Sequence, residues 1–89
     1  MTDAVKPPQL DFQTFILGLG SSAFIHLGDA PHPETGQVGA TDLVMAQQTI
    51  EVLGMLREKT RGNLTPAEEA LMGQLLRDLR LRYVERSRR

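Results

Sequence analysis

The sequence predicts an all-α protein: a small three-helix domain in which the first helix packs on an antiparallel hairpin of the other two. Apolar residues recur at helical spacing in three segments, and no stretch of useful length alternates as a strand does. A strong helix stop-and-start signal separates the last two segments. Because 89 residues form only a thin core and no cysteine supplies a disulfide, we also expect a homo-oligomeric bundle.

The first helix is expected over residues 11–27, starting at Asp11, a favourable N-cap residue. Its main apolar stripe consists of Phe12, Phe15, Ile16, Leu19, Ala23 and Leu27. Leu17, Phe24 and Ile25 point away from this stripe, and a helix that is apolar on more than one side is normally buried on more than one side. We therefore expect self-association as a dimer through these three residues. Burial of the same face within one chain is the alternative.

Residues 28–41 contain prolines and glycines and are expected to form a loop. A second, amphipathic helix is expected over residues 42–61. Its apolar stripe is Leu43, Ala46, Ile50, Leu53 and Leu56, and the opposite polar face is assigned to Gln47, Glu51, Gly54 and Glu58.

The segment that connects the second and third helices predicts that these two helices form an antiparallel hairpin. Gly62 can adopt the left-handed conformation that ends a helix, Thr65 can cap the next helix, and Glu68 can complete a capping box. The third helix is expected over residues 66–86, with an apolar arc of Leu71, Met72, Leu75, Leu76, Leu79 and Tyr83. Residues 1–10 and 87–89 are expected to be terminal tails, the first of them flexible.

The net charge of −1 conceals a basic C-terminal end, because residues 77–89 hold six arginines against two acids, giving +4. Helical geometry gathers one contact strip on this end, formed by Arg77, Arg80, Leu81, Val84 and Arg88. The strip predicts an acidic protein partner or, less strongly, nucleic acid, since Tyr83 is the only nearby aromatic residue and the whole chain is slightly acidic. A solvated helix end whose cations complement the helix dipole is the alternative.

Residues 18–23 match the dinucleotide-binding pattern G-x-G-x-x-A, but the alternating strands of a βαβ unit are absent from the sequence. The small residues are better explained by close approach of another helix. His26 and His32, with Asp29 and Glu34, are weak metal-ligand candidates whose spacing matches no recognised site. We expect no enzyme activity and no cofactor, because Ser21 and Ser22 lack the G-x-S-x-G context of a nucleophile and no paired carboxylates stand out.

The uncharged run of residues 12–28 is too short and too polar for a membrane span. Residues 1–8 include an acid and no apolar h-region, so we do not expect them to act as a secretory signal. The lack of cysteine fits a reducing compartment, and a cytoplasmic location is expected.

Several segments resemble a bacterial domain family of unknown function. The most specific is Lys59-Thr60-x-Gly62-Asn63-Leu64-Thr65, supported by Ser21-Ser22-Ala23, Pro31-x-Pro33-x-Thr35-Gly36 and Tyr83-Val84. The resemblance covers the chain from about Asp11 to Val84. It implies a small, stand-alone, all-helical bacterial protein and brings no established activity, ligand or catalytic residue with it.

Overall fold

The computed structural model describes residues 11–88 and contains three helices: α1 (Phe12–Leu27), α2 (Leu43–Lys59) and α3 (Pro66–Ser87). Within those residues no strand is present, and each helix packs against the other two. The predicted all-α, three-helix class is therefore confirmed. The tail expected over residues 1–10 lies outside the described residues, as does Arg89.

Each helix begins at a side chain that caps it. The Asp11 carboxylate accepts a hydrogen bond from the Thr14 amide at 2.7 Å, and this bond holds the pKa of the Asp11 carboxyl below its ordinary value. Asp42 accepts from the Met45 amide at 3.1 Å in the same way. Asp11 is thus the N-cap that the sequence predicted for α1, and Asp42 is the N-cap of α2; the ranges expected from residues 11 and 42 include these caps.

The capping box predicted before α3 is present in full. The Thr65 hydroxyl accepts from the Glu68 amide at 3.1 Å, and the Glu68 carboxylate accepts from the Thr65 amide at 2.9 Å. Gly62 has φ 84°, a left-handed conformation that favours glycine, as the sequence predicted.

The ends of α2 and α3 differ from the predicted bounds by a few residues. α2 stops at Lys59 rather than Arg61, because the chain tightens there and the Arg61 amide bonds the Glu58 carbonyl, three residues back. α3 continues through Ser87, which the sequence had placed in the terminal tail. The Ser87 hydroxyl donates to the Val84 carbonyl at 2.9 Å and satisfies one of the last backbone groups of the helix.

The core is a single cluster of buried side chains contributed by all three helices: Ile16, Ala23, Leu27, Ala46, Ile50, Leu53, Met72, Leu76 and Leu79. Every member belongs to one of the predicted apolar stripes. Phe15 belongs to the predicted apolar stripe of α1 but is 42% exposed, whereas Gly20, outside that stripe, is buried. A Cβ on Gly20 would lie 2.9 Å from Leu75 Cδ2, so the missing side chain lets α3 approach α1 at this point. α1 is consequently turned toward Gly20 and away from Phe15.

Polar contacts fix which helix ends meet. The Tyr83 hydroxyl, late in α3, donates to Gln47 early in α2 at 3.1 Å, and Arg57 near the end of α2 pairs with Glu69 at 3.5 Å. The Asp42 amide donates to the His26 carbonyl at 2.7 Å, which holds the start of α2 beside the end of α1.

Candidate interaction surfaces

The three residues predicted to mediate self-association do not share one open face. Leu17 is 46% exposed, whereas Ile25 and Phe24 are half-buried. Phe24 packs against the core cluster and borders a depression whose other walls are α3 side chains, including Leu81 and Arg82. Part of the predicted second face of α1 is therefore covered by the chain itself, and Leu17 remains on the surface.

The outer face of α1 nevertheless carries no charge. Thr14, Gly18 and Ser21 are exposed and lie on the side of the helix opposite the buried residues, and we call these three positions the outer face of α1. Phe15 and Leu17 flank it on either side. Because no Asp, Glu, Lys or Arg occurs between Phe12 and Leu27, this surface helix lacks the charged side chains that usually face solvent. A Cβ on Gly18 would meet nothing within 4 Å.

A second apolar surface, on α2, was not predicted from the sequence. Val44, Val52 and Met55 are exposed on the side away from the core, and we call them the outer stripe of α2. Val44 is 66% exposed and Met55 is 61% exposed. Their spacing along the helix, eight and three residues, is the signal that could have identified them.

The residues assigned to the polar face of α2 lie nearer α3 than expected. Gln47 bonds Tyr83, and Gly54 lies under Arg80, whose Nη2 atom is 3.5 Å from where a Gly54 Cβ would be. Glu51 and Arg80 line the same depressions between the two helices. This face therefore borders the α2–α3 contact and is not directly opposite the core.

The C-terminal arginines divide into two groups. Arg86 donates to Asp29 Oδ1 at 2.6 Å, and Arg82 lies 3.8 Å from the other Asp29 oxygen, with the Asp29 side chain only 16% exposed. Within residues 11–88, Arg77, Arg80 and Arg88 form no salt bridge and are exposed. The predicted strip of Arg77, Arg80, Leu81, Val84 and Arg88, here called the basic strip, is thus the part of α3 whose cations are not neutralised by the fold.

A shallow depression of about 260 Å³ lies beside the basic strip, between α2 and α3. Ile50, Tyr83 and Val84 supply its apolar walls, and Arg80 and Glu51 stand at its edge. Glu51 accepts a hydrogen bond from Gln47 at 3.3 Å and forms no salt bridge with Arg80. The depression can hold an apolar side chain next to a free guanidinium group.

Near the end of α2 two other arginines are paired. Arg61 donates to Glu58 at 2.6 Å, a hydrogen bond that raises the pKa of the Arg61 guanidinium above its ordinary value. Arg57 pairs with Glu69, as described above. Within residues 11–88, the arginines without a salt bridge therefore lie in the C-terminal half of α3 and at its C-cap.

Comparison with protein-family models matches residues 9–85 to a family described as "Domain of unknown function (DUF1844)". The chain belongs to the DUF1844 family. The resemblance inferred from the segment around Gly62 to a family of unknown function is thereby confirmed. Searches of curated proteins and of solved structures give no match.

The dinucleotide pattern of this DUF1844 domain lies in the middle of a helix. α1 begins at Phe12, six residues before Gly18, so residues 18–23 form neither a strand-to-helix turn nor a helix N-terminus that could hold phosphate. Gly20 instead accommodates Leu75, as the sequence analysis expected of the small residues.

The weak metal candidates of the DUF1844 domain are not part of a larger ligand cluster. His26 is half-buried in the last turn of α1, and His32 lies in the loop with its ring against Gly39. Across residues 11–88, no group of three or more His, Cys, Asp or Glu side chains is arranged to hold a metal ion. In the same residues no helix has the length and apolar character needed to cross a membrane.

Proposed function

We propose that this DUF1844 chain is a helical protein-interaction module that forms a homodimer by packing the outer face of α1 against the same face of a second copy. The observation that carries the proposal is the uncharged surface of α1. A helix of 16 residues lies at the surface without one charged side chain, with Phe15 and Leu17 almost half exposed. Depletion of charge together with exposed aromatic and aliphatic side chains is typical of the centre of an interface.

The small outer residues of α1 support a helix-to-helix contact. Gly18 and Ser21 would allow two α1 helices to approach closely, and Phe15 and Leu17 would then lie along the two edges of the contact. In a two-fold arrangement the same residues serve both copies, so one apolar face is sufficient. The dimer would also enlarge a core that has only nine buried apolar side chains in residues 11–88.

In this proposal α2 and α3 form an antiparallel hairpin that supports α1 from behind and leaves their own outer surfaces free for other partners. The domain acts as a scaffold, and we assign it no catalytic step and no cofactor. Its interaction surfaces, not a reaction centre, are expected to account for its role.

Sedimentation velocity of the full chain tests the proposal with one interface variant and one matched control. Leu17→Asp places a charge on the edge of the α1 contact, and Met55→Asp places the same charge on the outer stripe of α2, at a side chain that is also exposed. We expect wild type and Met55→Asp to sediment as dimers at micromolar concentration and Leu17→Asp as a monomer of 9.9 kDa. A monomeric wild type, or a dimer that only Met55→Asp dissociates, would overturn the proposal. Circular dichroism of each variant checks that the helices are retained.

A further inference from the structure

We propose that the basic strip of α3 binds an acidic amphipathic helix of another protein, with Arg77, Arg80 and Arg88 contacting its carboxylates and the depression beside Val84 holding one of its apolar side chains. The inference goes beyond the proposed dimer, because the strip lies on α3 and uses no residue of the outer face of α1. Either proposal can fail without the other.

The first step is the charge that the fold leaves uncompensated. Residues 77–88 contain five arginines and two acids, a net charge of +3. Asp29 neutralises Arg86 and lies near Arg82, and Arg82 also approaches Glu85 at 3.7 Å. No such partner exists within residues 11–88 for the three arginines of the basic strip. A surface with this excess of positive charge is complementary to an acidic one.

The second step is the apolar component between those arginines. Leu81 is 59% exposed, Val84 is also exposed, and both lie between Arg77 and Arg88 along the same side of α3. Arg80 and Val84 also form part of the depression between α2 and α3. Exposed apolar side chains flanked by cations suit an amphipathic partner whose own apolar residues are flanked by acids.

The length of the strip indicates the size of the partner segment. Arg77 and Arg88 are eleven residues apart, which corresponds to roughly 16 Å along the helix axis at 1.5 Å per residue. About three turns of a partner helix cover this distance. Carboxylates repeated every three or four residues on one side of that helix would reach the successive arginines.

The aromatic residue beside the strip argues against nucleic acid. Single-stranded nucleic acid is usually bound by aromatic rings on which bases stack. Tyr83 packs against the core cluster and its hydroxyl donates to Gln47, so its ring is held between the helices. A nucleic acid would still be attracted electrostatically through its phosphates. It would find no stacking surface, however, and would make no use of the exposed Leu81 and Val84.

Selection from a library of random helical peptides displayed on phage, using the full-length chain as target, tests the proposal. We expect enriched peptides to carry Asp or Glu every three or four residues beside Leu, Ile or Phe. The best peptide, labelled with a fluorophore, is then titrated with wild type and variants. Arg80→Gln should weaken binding about fivefold, the effect expected for loss of one partly exposed charge contact.

Two variants separate the outcomes. Arg61→Gln removes the same charge at an exposed arginine outside the strip and should leave peptide affinity unchanged. Val84→Ser keeps every charge but removes an apolar wall of the depression. It should therefore weaken binding of an amphipathic helix and leave binding of a phosphate backbone unchanged. Enriched peptides without an excess of acids would overturn the proposal, as would equal effects of Arg80→Gln and Arg61→Gln. Tighter binding of a single-stranded oligonucleotide or of phosphatidylserine vesicles, unaffected by Val84→Ser, would also overturn it by identifying a different partner class.

Discussion

Two glycines of α1 that lie two residues apart, on different sides of the helix, offer a test of how α1 packs in the monomer. Gly18 and Gly20 are both within α1, but a Cβ on Gly18 would meet nothing within 4 Å, whereas a Cβ on Gly20 would lie 2.9 Å from Leu75 Cδ2. Gly18→Ala and Gly20→Ala therefore make the same chemical change in an open site and in a crowded one.

The expected free-energy changes follow from these environments. Alanine in a helix interior is favoured over glycine by about 1 kcal/mol, so Gly18→Ala should raise the free energy of unfolding by about that amount. Gly20→Ala gains the same helix propensity but forces Leu75 to move. Overpacking of a core costs about 1–3 kcal/mol. The two contributions leave Gly20→Ala between neutral and about 2 kcal/mol destabilising.

Urea denaturation followed by far-ultraviolet circular dichroism measures both changes, at concentrations where sedimentation shows a monomer. Leu75→Ala in each background provides the control, because it removes the side chain that Gly20→Ala would contact. We expect Leu75→Ala and Gly18→Ala to be additive within about 0.5 kcal/mol. Leu75→Ala should cost about 1 kcal/mol less in the Gly20→Ala background than in the wild type. A Gly20→Ala variant more stable than Gly18→Ala, or no coupling with Leu75→Ala, would refute the packing of α3 against Gly20.

Three further predictions concern helix ends and ion pairs. Thr65→Ala removes the capping-box hydroxyl and should lower the free energy of unfolding by about 1 kcal/mol in urea denaturation; an unchanged midpoint would show that the cap contributes nothing. Asp29→Ala removes the carboxylate from the partly buried ion pair with Arg86 and should lower the free energy of unfolding by about 1–2 kcal/mol in thermal or urea denaturation. Glu58→Ala breaks a more exposed pair and should lower it by less than about 0.5 kcal/mol. The pKa of the Asp11 carboxyl is lowered in the folded chain, so its ionised form stabilises α1 above the ordinary carboxyl pKa of 3.8. This contribution is lost as the pH falls through the lower pKa that Asp11 has in the folded chain. Helicity should therefore decline less steeply below that pH in Asp11→Asn than in the wild type, and identical acid titrations would contradict the assignment.

Local interactions were the part of the fold that the sequence made predictable. The capping box of Thr65 and Glu68 and the left-handed Gly62 depend on residues a few positions apart, and their chemistry can be inferred without knowing the tertiary structure. The apolar periodicity identified every residue of the buried cluster for the same reason.

Contacts between distant segments were not predictable in the same way. Asp29 pairs with Arg86 across 57 positions, and no local pattern links the end of α1 to the end of α3. The exposure of Phe15 likewise follows from the fit of Leu75 over Gly20, which sets the rotation of α1. An apolar stripe indicates that a helix has a buried side, but the partner's shape decides which of its edge residues are covered.

The candidate surfaces were likewise predictable where they depend on local spacing and not where they depend on contacts between distant segments. The sequence placed Arg77, Arg80 and Arg88 on one side of a helix, and the structure adds that these three have no ion pair within residues 11–88, while Asp29 neutralises Arg86. The outer stripe of α2 was missed because its residues are separated by polar ones such as Gln48 and were overshadowed by the stronger inward stripe.

Disulfide trapping tests the central claim, the pairing of two α1 helices, most directly. The chain has no cysteine, so single cysteines at Thr14, Gly18 and Ser21 report contacts of the outer face of α1 alone, and Gln48→Cys on α2 serves as the exposed control. We expect mild oxidation to give a covalent dimer, seen on a non-reducing gel, for at least one of the three α1 positions and not for Gln48→Cys. Covalent dimers from Gln48→Cys alone, or from none of the α1 positions, would contradict the claim.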